Sequence, residues 1–153
     1  MLKAKDIMKR ELITVSPETR ITDAAKVLLD NHINGLPVVD ENGNLVGIIC
    51  QSDLVAQQKT LPLPSFFNLL DGLIPLVSPK SYEKEVRKIA AATVSEAMST
   101  NPVTVSPETS LEEIATLMVT RGFHTLPVQE QTKLVGIIGK EDVLRTLIEQ
   151  QPS

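Results

Sequence analysis

The chain has 153 residues, 42% hydrophobic and 22% charged, a soluble globular composition that excludes a disordered or fibrous chain and leaves one ordinary domain or two small ones sharing a core. A formal charge of −4, 3% aromatics and no Trp argue against a phosphate-backbone footprint or a base-stacking platform, so nucleic acid is not the expected partner. One cysteine and two histidines give neither an internal disulfide nor a Cys/His metal cluster, and with no export signal or bilayer-spanning run expected, the protein reads as cytoplasmic.

In chain order, the first element is a short extended segment, Ile13-Thr14-Val15. Ser16-Pro17-Glu18-Thr19 makes a turn. Ile21, Ala24, Ala25, Leu28 and Leu29 then recur at helical spacing, which predicts a helix over 22–31 capped by Thr19 or Thr22. His32 at its end is expected only to complement the helix dipole. Residues 35–40 read as a buried strand, Glu41-Asn42-Gly43-Asn44 as a hairpin turn, and 45–50 as the returning strand. Ser52 and Asp53 are placed to cap a second helix through Leu54, Val55 and Gln58.

Residues 59–92 read as an ordered insertion. Leu61-Pro62-Leu63-Pro64 breaks regular structure, 66–74 is apolar enough to need covering, and 81–92 reads as a charged helix with Glu83 and Arg87 four apart. Three uses are open to its apolar groups, which include Phe66, Phe67 and Tyr82: closing the core, sealing a ligand cleft, or forming a subunit or partner interface. Beyond it come an extended segment at Val103-Thr104-Val105, a helix over 111–121, a strand over 125–128, a tight turn over 130–133, a strand over 134–138 and a helix over 141–150.

The second half repeats the first. Thr14-Val15-Ser16-Pro17-Glu18-Thr19 recurs word for word ninety residues later as Thr104-Val105-Ser106-Pro107-Glu108-Thr109, with Met8 matching Met98 and Asp6 matching Glu96 ahead of it. Leu36-Pro37-Val38 falls on Leu126-Pro127-Val128; after the loss of one turn residue, Leu45-Val46-Gly47-Ile48-Ile49 falls on Leu134-Val135-Gly136-Ile137-Ile138 and Asp53 on Asp142. This is a tandem duplication. Copies of about 55 residues are too small to bury a core alone, so the pair is expected to pack about a pseudo-two-fold axis with clefts in related pairs. The β-α-β-β-α order makes each copy an α/β unit, with boundaries at 1–58, 59–92 and 93–150.

The words TVSPET, LPV, LVGII and the trailing Asp, occurring in this order in both halves, resemble two cystathionine beta-synthase (CBS) domains in the tandem arrangement called a Bateman module. That resemblance covers nearly the whole chain apart from 59–92. It implies an intramolecular pair of CBS domains, often dimerising into a flat disc. The implied role is sensing of adenosine-containing ligands (AMP, ADP, ATP or S-adenosylmethionine) on behalf of another protein.

Carried onto this chain, the resemblance gives Asp53 and Asp142 to the ribose diol, a role that suits a carboxylate with two acceptor oxygens; capping the helix is the other role open to each. Backbone N–H groups at the helix start, with the Ser52 hydroxyl, are placed for phosphate. The base would be enclosed by Thr14, Val15, Ile33, Asn34, Gly35 and Pro37 in the first copy and by Thr104, Val105, Phe123, His124, Thr125 and Pro127 in the second. Core packing is the competing use of Val15, Val105, Pro37 and Pro127. Arg121, His124 and Lys140 are expected to cluster in the second copy, where the first has Asn31, Asn34 and Gln51. The second cleft would then take the more highly charged ligand, with Lys140 and His124 at phosphate and Asp142 at ribose; solvated surface charge is the alternative for Arg121 and Lys140.

The pattern departs from the family at Cys50 and Gly139, where Thr or Ser usually stands, so each copy lacks a hydroxyl. No nucleophile–base set, Gly-rich phosphate loop or metal spacing supports an enzyme, and Cys50 reads as a packed strand-end residue. No metal or required cofactor is expected. The competing function is a ligand-independent scaffold for dimerisation or protein–protein interaction.

Overall fold

The computed structural model describes residues 1–57, 87 and 92–149. Its elements, in chain order, are α1 (Ala4–Ile7), α2 (Ile21–Asp30), β1 (Gly35–Val39), β2 (Leu45–Cys50), α3 (Gln51–Gln57), α4 (Val94–Ala97), β3 (Ser99–Thr100), α5 (Leu111–Arg121), β4 (Thr125–Glu130), β5 (Lys133–Gly139) and α6 (Lys140–Glu149). The chain is an α/β pair of repeats.

The alternation of apolar residues explains each hairpin. Leu36 and Val38 are fully buried on β1 and Ile49 on β2; Leu126, Val128 and Ile138 do the same on β4 and β5. In β1–β2 Gly35 pairs with Cys50 and Pro37 with Ile48, and in β4–β5 Thr125 pairs with Gly139 and Pro127 with Ile137. The first hairpin turns through Gly43 at φ 81, the left-handed backbone that the Asn-Gly signal anticipates. β4 runs two residues past the expected 128, because Gln129 pairs with Leu134 and Glu130 with Lys133. The expected leading strands shrink to single parallel bridges, Val15 to Val38 and Val105 to Val128.

The helices sit within a residue or so of expectation, a difference without physical weight at frayed ends. Their caps differ. α2 starts after Arg20 with no side-chain cap, so neither Thr19 nor Thr22 has that task. Thr19 instead accepts from the Ser16 amide at 3.1 Å, holding the turn, as Thr109 does for Ser106 at 3.0 Å. α5 is capped by Ser110, whose Oγ accepts from the Glu113 amide at 3.2 Å, and ends on Gly122 at φ 70. His32 holds the equivalent left-handed position in the first copy at φ 53, a conformation that carries a steric cost in any residue with a Cβ.

The repeats exchange their leading segments. Ala4 is fully buried and, with Ile7 and Met8, packs among Val105, Ile114, Leu126, Val128 and Ile138 of the second copy. Val94, Ala97 and Met98 pack among Val15, Leu28, Leu36 and Ile49 of the first. The verbatim repeated word is the clip. The amides of Val94 and Ser95 donate to the carbonyls of Thr19 and Pro17 at 2.7 and 2.9 Å, and those of Ala4 and Lys5 donate to Thr109 and Pro107 at 2.8 and 2.9 Å. Full burial of Val94 alone stabilises the exchange by about 1.5–3 kcal/mol.

Of the insertion, Arg87 is helical and exposed, while Ala92 is buried and not helical. The Ala92 carbonyl accepts from the Ile21 amide at 3.0 Å, so the helix expected over 81–92 does not include its last residue. Leu61-Pro62-Leu63-Pro64, the apolar stretch 66–74, Tyr82 and Glu83 lie outside the described residues. No helix among the described residues is long and apolar enough to cross a membrane.

Candidate ligand-binding site

Among the described residues two clefts lie between the repeats, and the exchange decides what lines them. Behind Met98 the chain pairs β3 with β2, Ser99 opposite Ile48 and Thr100 opposite Gly47, and then crosses the cleft mouth through Asn101, Pro102 and Val103. Behind Met8 the related stretch follows the same course: the Lys9 amide donates to the Ile137 carbonyl at 2.9 Å and receives a 3.0 Å bond in return. Lys9, Glu11 and Ile13 then line the other cleft.

The first cleft is a cavity of about 590 Å³, within the range of about 300–1,000 Å³ usual for small-molecule sites. One wall is the β2–α3 junction, with Cys50, Gln51, Ser52 and Asp53; the other is the loop ahead of β4, with Arg121, Gly122, Phe123, His124 and Thr125; Asn34 and Lys140 complete it. Each loop is pinned to the start of the following helix. The Gln51 amide donates to the Asn34 carbonyl at 2.9 Å, and the Lys140 amide to the His124 carbonyl at 3.0 Å. Gln51 Nε2 adds a 2.9 Å bond to the Ile33 carbonyl.

Asp53 stands in the first turn of α3. Its Oδ2 accepts from the Cys50 amide at 2.7 Å, which ties down the helix start, while Oδ1 has no partner among the described residues. Helix tethering and an open acceptor thus coexist on one side chain. Burial, and then the Asp53 carboxylate beside it, push the Cys50 thiol up to about 11. At neutral pH it is a protonated packing group, not a nucleophile.

The second cleft is a cavity of about 70 Å³. Asp142, 3% exposed, has both oxygens engaged: the Gly139 amide donates to Oδ2 at 2.8 Å, Arg145 Nη1 to Oδ1 at 3.1 Å, and Lys9 Nζ stands 3.9 Å from Oδ1. Thr125, Asn34 and Lys140 line both cavities, forming the partition between them.

The expected site residues therefore separate. Asn34, Ser52, Asp53, Phe123, His124, Thr125 and Lys140 come together at the large cavity, and Ile33, Asn34, Gly35, Thr125, Lys140 and Asp142 at the small one. The grouping by copy is corrected: Arg121 and His124 face Asp53 rather than Asp142, because each strand-leading loop reaches across to the other repeat's helix start. Val15 and Val105 are core residues, Pro37 and Pro127 are fully buried in their strands, and exposed Thr14 and half-buried Thr104 line neither cavity. Asn31 spends its side-chain amide on the Val27 carbonyl at 2.8 Å. Sequence reasoning missed Lys9, Glu11, Ile13 and 99–103; the signal was their matching place between the repeated Met and the repeated Thr-Val word.

Among the described residues no cluster of His, Cys, Asp and Glu could hold a metal ion. Chemically, the large cavity offers an open carboxylate oxygen on one wall and guanidinium, imidazole and ammonium groups on the other.

Residues 4–59 and 94–149 match the family model of the CBS domain. The chain is similar to CBSX2, a chloroplastic CBS domain-containing protein of Arabidopsis thaliana, at 31% identity over 153 residues, covering 92% of this chain and 60% of that protein. A crystal structure of CBSX2 in complex with AMP aligns with a TM-score of 0.74 and 28% identity, covering 97% of this chain and 98% of that one. The CBS domain pair of protein MJ0100, in complex with 5′-methylthioadenosine and S-adenosylmethionine, aligns with a TM-score of 0.72 and 26% identity over 99% of both chains. With both copies matched and the whole pair superimposing on such structures, the chain belongs to the CBS domain family as a tandem pair.

Proposed function

We propose that the chain is a regulatory sensor that binds an adenosine-containing ligand (AMP, ADP, ATP or S-adenosylmethionine) between its CBS domains and modulates a partner protein in trans. The observation that carries this reading is the open Oδ1 of Asp53 at a cavity of about 590 Å³. A carboxylate there suits the two hydroxyls of ribose. The solved structures of related pairs with AMP, 5′-methylthioadenosine and S-adenosylmethionine support the ligand class. No catalytic cofactor enters the proposal, and the protonated Cys50 supports a binding role over an enzymatic one. A reducing, cytoplasmic setting fits a lone free cysteine.

The ligand would touch both repeats at once, Asp53 from one and Arg121 and His124 from the other. Binding then favours one relative placement of the repeats, and a partner that distinguishes placements reads ligand concentration.

A scaffold reading has its own observation. Leu29 and Val119, and Val55 and Leu144, are exposed apolar residues at equivalent positions of the two repeats, joined on α6 by Leu147 and Ile148. Such matched faces suit a homodimer. The two readings are compatible unless no ligand binds.

A thermal-shift panel of AMP, ADP, ATP, S-adenosylmethionine and guanosine controls tests the sensor. A ligand at a hundred times its Kd should stabilise by about 2.7 kcal/mol. A rise in Tm with adenosine compounds alone is the expected result; no rise with any of them leaves the scaffold.

A further inference from the structure

Asp53 and Asp142 are equivalent in sequence and unlike in what surrounds them. Around Asp53 the described residues of the cavity wall contribute one acid against Arg121, Lys140 and the His124 ring. Around Asp142 they contribute three acids, Glu11, Glu141 and Asp142, against Lys9, Lys140 and the His32 ring. The first field favours an anion and the second does not. Volume points the same way, since about 70 Å³ has room for a handful of waters and not for a nucleoside.

At Asp142 the half-exposed Arg145 donates to Oδ1 at 3.1 Å, the half-exposed Lys9 Nζ pairs with the same oxygen at 3.9 Å, and the Gly139 amide donates to Oδ2. A ribose diol would have to displace those cations from a carboxylate that is 3% exposed. At Asp53 no described residue has to be displaced from Oδ1. Lys9 reaches Asp142 because its segment is the exchanged one. Its counterpart at the large cavity, Ser99, carries no charge.

Resting on the adenosine-ligand reading, we infer that each chain binds a single phosphate-bearing nucleotide, in the Asp53 cavity with Arg121, His124 and Lys140 at the phosphate, and that the Asp142 cleft is closed by Lys9 and Arg145. A sulfonium ligand such as S-adenosylmethionine meets two fixed cations in the one cavity and has no space in the other. Phosphate-bearing ligands are therefore selected over neutral or cationic adenosine compounds.

Isothermal titration of the full chain with AMP, adenosine and S-adenosylmethionine tests this. The expected result is one AMP per chain, bound about tenfold or more tightly than either other compound, from charge-assisted bonds to phosphate. Asp53→Asn keeps an acceptor for the Cys50 amide and should weaken AMP by about tenfold or more; Asp142→Asn should leave it within about twofold, with thermal melts confirming that both variants fold. Two AMP per chain, an equal loss in Asp142→Asn, or S-adenosylmethionine binding as tightly as AMP overturns the inference while leaving the sensor reading intact. Absence of binding by all three compounds, and by ADP and ATP titrated beside them, overturns both.

Discussion

Met8 of the N-terminal segment lies so close over Gly136 of β5 that a Cβ at position 136 would overlap its Sδ. The same pairing recurs between Met98 and Gly47, where a Cβ would come within 2.7 Å of Sδ and 2.8 Å of the Ser99 carbonyl oxygen. The repeated Met and the repeated Gly are therefore one packing device, made crosswise between the copies.

Gly47→Ala and Gly136→Ala should both destabilise by overpacking, by about 1–3 kcal/mol. Gly47→Ala should cost more, because it meets a backbone oxygen that cannot rotate away, whereas Gly136→Ala meets a side chain. Urea denaturation checks the order, and Met8→Ala should recover part of the loss in Gly136→Ala but none in Gly47→Ala. Additive losses for Met8→Ala with Gly136→Ala would contradict the pairing.

Glu108 receives Lys3 Nζ at 2.6 Å and Lys5 Nζ at 2.9 Å, and hydrogen bonds from these two ammonium groups hold its carboxyl down at about 2. A depressed carboxylate contributes stability above its ordinary pKa and loses it as pH falls through the folded value, here between about 4.5 and about 2. Glu108→Gln should flatten that acid limb, and added salt should weaken it in the wild type because all three groups are exposed. Glu18→Gln is the control, since Thr93 and Ser95 stand where the lysines would be. An acid limb unchanged in Glu108→Gln would remove the clasp from the account.

The Cys50 thiol has the opposite sign. Raised from 9.0 to about 11, it is protonated in the folded chain where the unfolded chain has begun to ionise. Stability should therefore fall as pH rises from about 9 to about 11. Cys50→Ala should lose that slope, and at pH 8 iodoacetamide should label the native protein far more slowly than the urea-unfolded one. Equal labelling rates would contradict the buried thiol.

Self-association through the apolar faces of α3 and α6 predicts a two-chain mass by sedimentation velocity. Leu147→Asp, at a residue 66% exposed in the single chain, should give a monomer with an unchanged circular dichroism spectrum. A monomeric wild type at working concentration would remove the dimer.

Much of the fold is legible in the sequence because period and punctuation agree. The repeat, the Leu-Pro-Val strands, the Asn-Gly turn and the α2 and α5 stripes each report a local physical preference. What could not be read is which copy each repeated residue serves. Met8 and Met98 are visibly equivalent, but one sequence carries no sign that each packs on the strand glycine of the other copy; the same silence hides that His124 faces Asp53. Thr14 and Thr104, which line neither cavity, stand in a word whose Pro17, Thr19, Pro107 and Thr109 carbonyls clip the exchanged segments, and such a word looks the same in sequence as one repeated to hold a ligand.

The central claim is that an adenosine nucleotide occupies the cavity at Asp53. Equilibrium dialysis of the 153-residue chain against labelled AMP, wild type beside Asp53→Asn, measures it directly. The account predicts saturable binding in the wild type and a loss of about tenfold or more in affinity in the variant. Equal affinity in both proteins would contradict it.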